Sequence, residues 1–191
     1  MSPTLLILTM LATYLITAIP TGIVLAKVMG YEDVRQKGSG NIGATNVYRV
    51  AGKLPGILTL LGDIAKGAVP LLAITLWLHP TPGQLGLLAL LAIIGHCYPV
   101  YLGFRGGKGV ATALGIFLVL SPLAVLFAAI VFVATVGISR FISLGSVLAA
   151  LAMPLSILLL GLPKEIFAGS LCIAILIVWR HRTNISRLLD G

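Results

Sequence analysis

The chain has 191 residues, 59% of them hydrophobic and only 9% charged, with a formal net charge of +8. A soluble domain carries about a quarter charged residues, so this composition, with a mean hydropathy of +1.11, excludes a soluble globular enzyme and places the chain in a bilayer. The excess of Lys and Arg then reports orientation across the membrane rather than an affinity for nucleic acid, and no nucleic-acid partner is expected.

In chain order, apolar segments fall at 3–26, 55–78, 84–102, 109–120, 122–138, 142–161 and 165–180. The opening MSPTLLILTMLATYL lacks the basic stretch of a signal peptide, so no cleaved leader is expected. Pro20 is expected to kink the first segment, and HPTPGQ (79–84) and GLPKE (161–165) read as turns. Region 109–138 is either one tilted helix or two short ones parted at Ser121-Pro122, since proline disfavours helix in the residue before it.

Charge separates these readings. Seven spans collect Lys27, Arg35, Lys37, Arg49, Lys53, Lys66, Arg105, Lys108, Arg140, Arg180, Arg182 and Arg187 on one side, 12 of the 13 basic residues, and leave Lys164 opposite. Six spans divide them 9 against 4. The expectation is an all-α integral membrane protein, a single domain over 1–191 with seven transmembrane helices, some short, its N-terminus outside and its C-terminus cytoplasmic. A helix over 109–120 rises only about 18 Å against a hydrocarbon core of about 30 Å. It needs a thinned bilayer or shielding by its neighbours, unless 109–138 forms a re-entrant pair. Cys97 and Cys172 fall in or beside apolar runs and read as inert thiols.

This arrangement gathers four polar stretches on the cytoplasmic face: SGNIGATNVYR (39–49), GHCYPVYLGFRGGKG (95–109), SRFISLGS (139–146) and WRHRTNISRL (179–188). Nearly all their polar groups are donors, so the natural ligand is an anion. In the first stretch, glycines let successive N–H groups turn inward as a nest. Ser39, Asn41, Thr45 and Asn46 add side-chain donors, and Arg49 a bidentate charge. A glycine-rich loop whose Asn and Thr cap the next helix fits these residues equally well.

GFRGGKG is not a Walker A loop, because Leu102 stands where glycine is needed and Gly109 where Ser or Thr would bind magnesium. It reads as a flexible turn presenting Arg105 and Lys108 beside Gly106 and Gly107, or as a basic loop that only sets topology. His96 in GHCYP is more readily a structural hydrogen-bonder than a catalyst, and His79 lies outside the cluster. His181 sits among Arg180, Arg182, Asn184 and Arg187, and on a helix it shares a face with Asn184. A basic terminus meeting anionic headgroups explains the arginines but not Asn184. Ser143 and Ser146 share a helical face beside Gly145, either as site residues or as small packing residues. Asp63 stands alone in LGDIAKG. With no acidic pair and no metal-ligand spacing, neither a metal nor a cofactor is expected. No histidine has Asp five residues on (His79 leads to Gln84, His96 to Tyr101, His181 to Ser186), so the H-x-x-x-x-D signature of acyl-CoA-type glycerolipid acyltransferases is absent.

Together SGNIGATNVYR, GHCYPVYLGFRGGKGVAT and HRTNISRL resemble the acyl-phosphate-dependent glycerol-3-phosphate acyltransferases of bacteria, the PlsY family. Motif order and spacing agree along the chain. The resemblance implies transfer of a fatty acyl group from acyl phosphate to the 1-hydroxyl of glycerol 3-phosphate. The products would be lysophosphatidic acid and phosphate, in the first acylation of phospholipid synthesis. It implies a multi-pass protein of the bacterial inner membrane with its site facing the cytoplasm. Its partners would be the two substrates, membrane lipid, and in functional contact the soluble enzyme that makes acyl phosphate. Catalytic roles would fall to His181, Lys108, Asn184 and Ser146. Substrate would be held by Ser39, Asn41, Thr45, Asn46, Arg49, His96, Gly106, Gly107 and Ser143. Either the donor phosphate or His181 takes the hydroxyl proton. The main rival, a transporter of phosphorylated metabolites, would place polar groups at mid-membrane, whereas the cores at 5–19, 68–78 and 166–179 hold no charged residue.

Overall fold

The computed structural model describes residues 1–190, and among them every regular element is helical. The first apolar segment forms α1 (Pro3–Thr17) and α2 (Thr21–Val28), whose axes meet at 44° around Pro20. Pro20 cannot continue the α1 ladder, so the kink expected there is a full break. A 3-10 turn (Val34–Gln36) leads to α3 (Ala44–Ala51), and α4 (Lys53–Leu78) follows at once. The capping box of Thr81 and Gln84 opens α5 (Pro82–Cys97), followed by a second 3-10 turn (Val100–Leu102). Then come α6 (Val110–Leu120), α7 (Pro122–Ser139), α8 (Ile142–Leu159), α9 (Lys164–Arg180) and α10 (Arg182–Leu189).

Region 109–138 is two helices, not one. Ser121 is extended (φ −161°) and its hydroxyl caps α7 by accepting from the Ala124 N–H. By length and composition α4, α5 with its following turn, α7 and α8 can each cross a membrane, and the bent pairs α1/α2 and α9/α10 (56°) raise the number to six. The eleven residues of α6 rise only about 16 Å. α6 is nonetheless shielded: Thr112, Ala113, Gly115, Ile116 and Phe117 are buried, mainly against α4. The two helices approach until backbone nearly touches backbone. A Cβ on Gly67 would strike the Thr112 carbonyl, and one on Gly115 the Ile64 carbonyl. Such small-residue contact is how helices associate where no hydrophobic force drives them together.

The core joins α4, α5, α6, α8 and α9 through fully buried Leu71, Leu88, Ile93, Ile116, Ile157 and Ile173. Outward-facing Ile7, Val133, Ile138 and Leu159 remain exposed, as expected where lipid is the solvent. One basic residue departs from its expected place. Lys66 lies in the interior of α4, 8% exposed and ion-paired to Asp63 at 2.8 Å. It therefore reports packing rather than orientation. In the seven-span arrangement 11 basic residues then oppose Lys164.

Gly115→Ala is expected to destabilise the bundle by about 1–3 kcal/mol through overpacking. Gly137→Ala on α7, where a Cβ would meet nothing within 4 Å, should be neutral or stabilise by up to about 1 kcal/mol. Thermal unfolding of the two variants in detergent checks the contrast.

Candidate active site

The GGKG turn between the second 3-10 turn and α6 is pinned on every side. The Gly106 N–H donates to the Cys97 carbonyl (3.2 Å) and the Gly107 N–H to the His96 carbonyl (3.1 Å). Their own carbonyls accept from Arg180 at the end of α9, Nη2 to Gly106 at 2.7 Å and Nε to Gly107 at 3.0 Å. The Arg180 guanidinium also lies over the Tyr98 ring, 5.2 Å from its centroid. The turn is held rather than flexible, and Gly106 and Gly107 both have their N–H groups engaged within the chain. They are glycines because a Cβ on Gly106 would strike the His96 carbonyl and Pro99, and one on Gly107 the imidazole of His96.

Lys108 follows this anchor and donates from Nζ to Asn184 Oδ1. Asn184 is fixed in turn, its N–H donating to the His181 carbonyl at 2.8 Å in the first turn of α10. His181 occupies the break between α9 and α10 and is 3% exposed. Its Nδ1 sits 2.8 Å from the Ile177 carbonyl. A carbonyl only accepts, so Nδ1 carries the proton and the neutral ring keeps its lone pair on Nε2. Burial, and more weakly the charges of Lys108 and Arg180, lower the pKa of His181. The ring is therefore neutral at neutral pH.

The electrostatics are one-sided. No carboxylate pairs with Lys108, Arg180 or Arg187 among the described residues. Burial first, then the Arg187 and Arg180 charges, push the Lys108 ammonium down to about 8. A half-buried cation among cations, fixed by an amide rather than by an anion, is a site with its counter-charge missing.

Beside it, Ser143 and Asn184 line a cavity of about 190 Å³ whose other walls are Leu144, Val147, Ile185 and Leu188. A wider groove of about 600 Å³ runs along α8, α9 and α10 over Leu151, Ile175, Val178, Ile185 and Leu189. Polar anchor and apolar trough thus meet at α10.

The other expected residues divide. Asn46 is 2% exposed, and its amide is fully engaged within the chain. Nδ2 donates to the carbonyls of Val34 (2.8 Å), Asn41 (2.9 Å) and Lys37 (3.3 Å), and Oδ1 accepts from the Ser39 N–H (2.8 Å). Asn41 Oδ1 accepts from the Gly43 N–H (2.9 Å). The Asn46 amide is therefore engaged within the loop, and Asn41 shapes the loop through its Oδ1. Ser39, Thr45 and Arg49 are exposed, and no hydrogen bond or ion pair joins the 39–49 loop to Lys108 or His181 among the described residues. α3 packs on α2, α4 and the preceding 3-10 turn. Ser146 is buried and donates back to the Ile142 carbonyl at 2.8 Å, so its hydroxyl is already committed. Ser143, one turn earlier, faces the cavity. His96 is 3% exposed beneath Gly107, a support rather than a surface contact. Arg180 was the residue missed: among three arginines in WRHRTNISR nothing local distinguishes it.

A bundle of apolar helices carrying an unpaired cationic crevice beside an apolar trough defines an integral membrane protein. A family model described as glycerol-3-phosphate acyltransferase matches residues 7–191, and the chain belongs to that family, the PlsY family. It is 56% identical over 182 residues to the glycerol-3-phosphate acyltransferase of Syntrophotalea carbinolica (strain DSM 2380 / NBRC 103641 / GraBd1), covering 95% of this chain and 93% of the relative. It is 49% identical over 186 residues to that of Geobacter sulfurreducens (strain ATCC 51573 / DSM 12127 / PCA), covering 97% and 94%. The crystal structure of PlsY (YgiH), an integral membrane glycerol 3-phosphate acyltransferase, in its glycerol 3-phosphate form superposes with a TM-score of 0.91 at 40% identity, over 97% of this chain and 92% of that one. Its lysophosphatidic acid form gives 0.89 at 38%, with the same coverage.

The unpaired ammonium has a consequence for stability. Lys108 has its pKa depressed in the folded protein, so its cost is present in full below about 8 and is relieved as pH rises from there toward the ordinary lysine value of 10.5, the range in which the unfolded chain binds the extra proton. Lys108→Met should raise the thermal midpoint of the ligand-free protein at pH 7, and the gap to wild type should close between about pH 8 and 10.5. Thermal melts across that range check it.

Proposed function

We propose that the protein transfers a fatty acyl group from acyl phosphate to the 1-hydroxyl of sn-glycerol 3-phosphate, releasing lysophosphatidic acid and inorganic phosphate. Family membership supports acyl transfer to glycerol 3-phosphate, and the relatives' structures carry that acceptor and lysophosphatidic acid. The observation that carries the reading is Lys108: a half-buried cation without an anion, fixed to Asn184 where a polar anchor opens into an apolar trough. Both substrates are phosphates and one has a lipid tail.

In the reaction, the glycerol hydroxyl oxygen bonds to the acyl carbon and the bond from that carbon to the phosphate oxygen breaks. Acyl phosphate is a mixed anhydride, already activated, so no covalent enzyme intermediate is needed. Lys108 meets the charge that gathers on the departing phosphate, and fixed positioning supplies the rest of the acceleration. Ser143 and Asn184 hold the polar end of the donor while its chain lies in the apolar trough. Ser39, Thr45 and Arg49, whose side chains are free of internal bonds, contact a substrate phosphate from the opposite loop. The donor's own phosphate, partly dianionic near neutral pH, takes the hydroxyl proton. His181, neutral and with Nε2 as acceptor, orients the hydroxyl.

The same reading assigns seven spans with α6 as the short one, the N-terminus outside, the site on the cytoplasmic side of the bacterial inner membrane, and one catalytic domain over 1–191. It also places the soluble enzyme that makes acyl phosphate in functional contact with this face. The distribution of basic residues supports it.

Purified protein given glycerol 3-phosphate and either acyl phosphate or acyl-CoA is expected to form lysophosphatidic acid from acyl phosphate alone. Equal rates from acyl-CoA would contradict the donor assignment. His181→Gln is expected to lower kcat by no more than about tenfold and to keep the acid limb of the pH–rate profile. A loss of about 10²–10⁴ with disappearance of that limb would make His181 the general base.

A further inference from the structure

Beneath the GGKG turn, four polar groups from three helices meet inside the bundle. Asp63 (2% exposed) and Lys66 (8%) come from α4, His96 (3%) from α5 and Thr112 (fully buried) from α6. Asp63 Oδ1 lies 2.8 Å from Lys66 Nζ and 3.8 Å from His96 Nδ1, and Thr112 Oγ1 is 3.1 Å from that same ring nitrogen. Lys66 Nζ also donates at 2.8 Å to the Ile19 carbonyl, at the break between α1 and α2. None of these groups touches the cavities beside Lys108.

Ionised side chains inside a membrane bundle are costly, and well-packed apolar residues would replace them at little or no loss of stability. Their placement suggests what they do instead. The outer edge of the His96 ring lies against Gly107, leaving no room for a Cβ there, and the backbone carbonyl of His96 holds the Gly107 N–H. Gly107 directly precedes Lys108. A ring rotated or shifted at His96 therefore moves the anchor of the ammonium.

We infer that Asp63 and Lys66 are positioning residues for Lys108, acting through the orientation of His96 and its contact with Gly107. Thr112 hydrogen-bonds the imidazole at Nδ1, with the Asp63 carboxylate oxygen 3.8 Å from the same nitrogen, and the other edge of the ring sets the height of the turn. Lys66 fixes Asp63 and ties it to the broken first helix, so the N-terminal helices and the Lys108 turn are held in one register. The activity readout rests on the proposed acyl transfer; a second readout does not.

The test uses the full chain with Asp63→Ala and Lys66→Met combined, so that no buried charge is left unpaired. Acyl transfer and hydrogen exchange are measured alongside the thermal midpoint. With the fold intact, kcat/KM for glycerol 3-phosphate is expected to fall at least about tenfold. The peptide spanning 103–109 should exchange at least about tenfold faster while α8 and α9 exchange as in wild type. Wild-type values of both would overturn the inference, and so would faster exchange spread evenly over all helices, which a purely structural pair produces. Should the double variant fail to fold, Thr112→Val, close in shape and lacking only the hydroxyl, is read the same way, and an unchanged turn there overturns the inference too. If wild type itself forms no lysophosphatidic acid, the proposed reaction falls, and exchange at 103–109 alone decides this inference.

Discussion

The site depends on one guanidinium. Arg180 receives nothing from a carboxylate; its fork closes on two adjacent backbone carbonyls, those of Gly106 and Gly107, and its face rests on Tyr98. That contact joins the end of α9 to a turn 73 and 74 residues earlier in the chain. Among the described residues the other hydrogen bond between the two segments is Lys108–Asn184, which joins a long flexible side chain to an eight-residue helix. With the Arg180 contact, Lys108 follows two glycines whose N–H and carbonyl groups are all engaged, and Asn184 leaves a helix that begins two residues after Arg180. A lysine in place of Arg180 could not reproduce the planar double contact.

Around that clamp the protein keeps positive charge with no compensating anion. Acidic residues are few, and the buried one, Asp63, is committed to Lys66. The fold therefore carries an electrostatic cost at Lys108, the usual relation between a preorganised site and stability. The apolar trough along α8, α9 and α10 gives the same place a second, uncharged affinity. A ligand with both a phosphate and an acyl chain satisfies the two at once, and a small phosphorylated metabolite satisfies only one. The geometry thus favours an interfacial enzyme over a transporter.

Much of the bundle was legible from apolar run lengths and two prolines. The break at Pro20, the division at Ser121-Pro122 and the turns at 79–84 and 161–165 follow from what proline and turn residues do to a backbone, independent of neighbours. Lys108, His181 and Asn184 were legible as a group because charge placement brought their segments to one face. What sequence could not show was the direction in which a side chain is used. Asn46 looks like a donor awaiting a ligand, and its amide N–H groups meet carbonyls of the segment just before it. Gly106 and Gly107 look like part of a flexible turn, and their small size answers to His96 and Pro99. Lys66 looks like one more topological charge, and it lies inside α4. In each case the deciding partner is non-local, or depends on a loop conformation that no periodicity encodes.

In the proposed reaction Arg180 contributes only by placing Lys108, so its loss should matter little once Lys108 is gone. The direct measurement is a double-mutant cycle on kcat/KM for glycerol 3-phosphate with Arg180→Gln, Lys108→Met and the pair. The expected result is a double variant within about twofold of Lys108→Met alone. Losses that multiply, the signature of two independent contributions, would contradict the clamp.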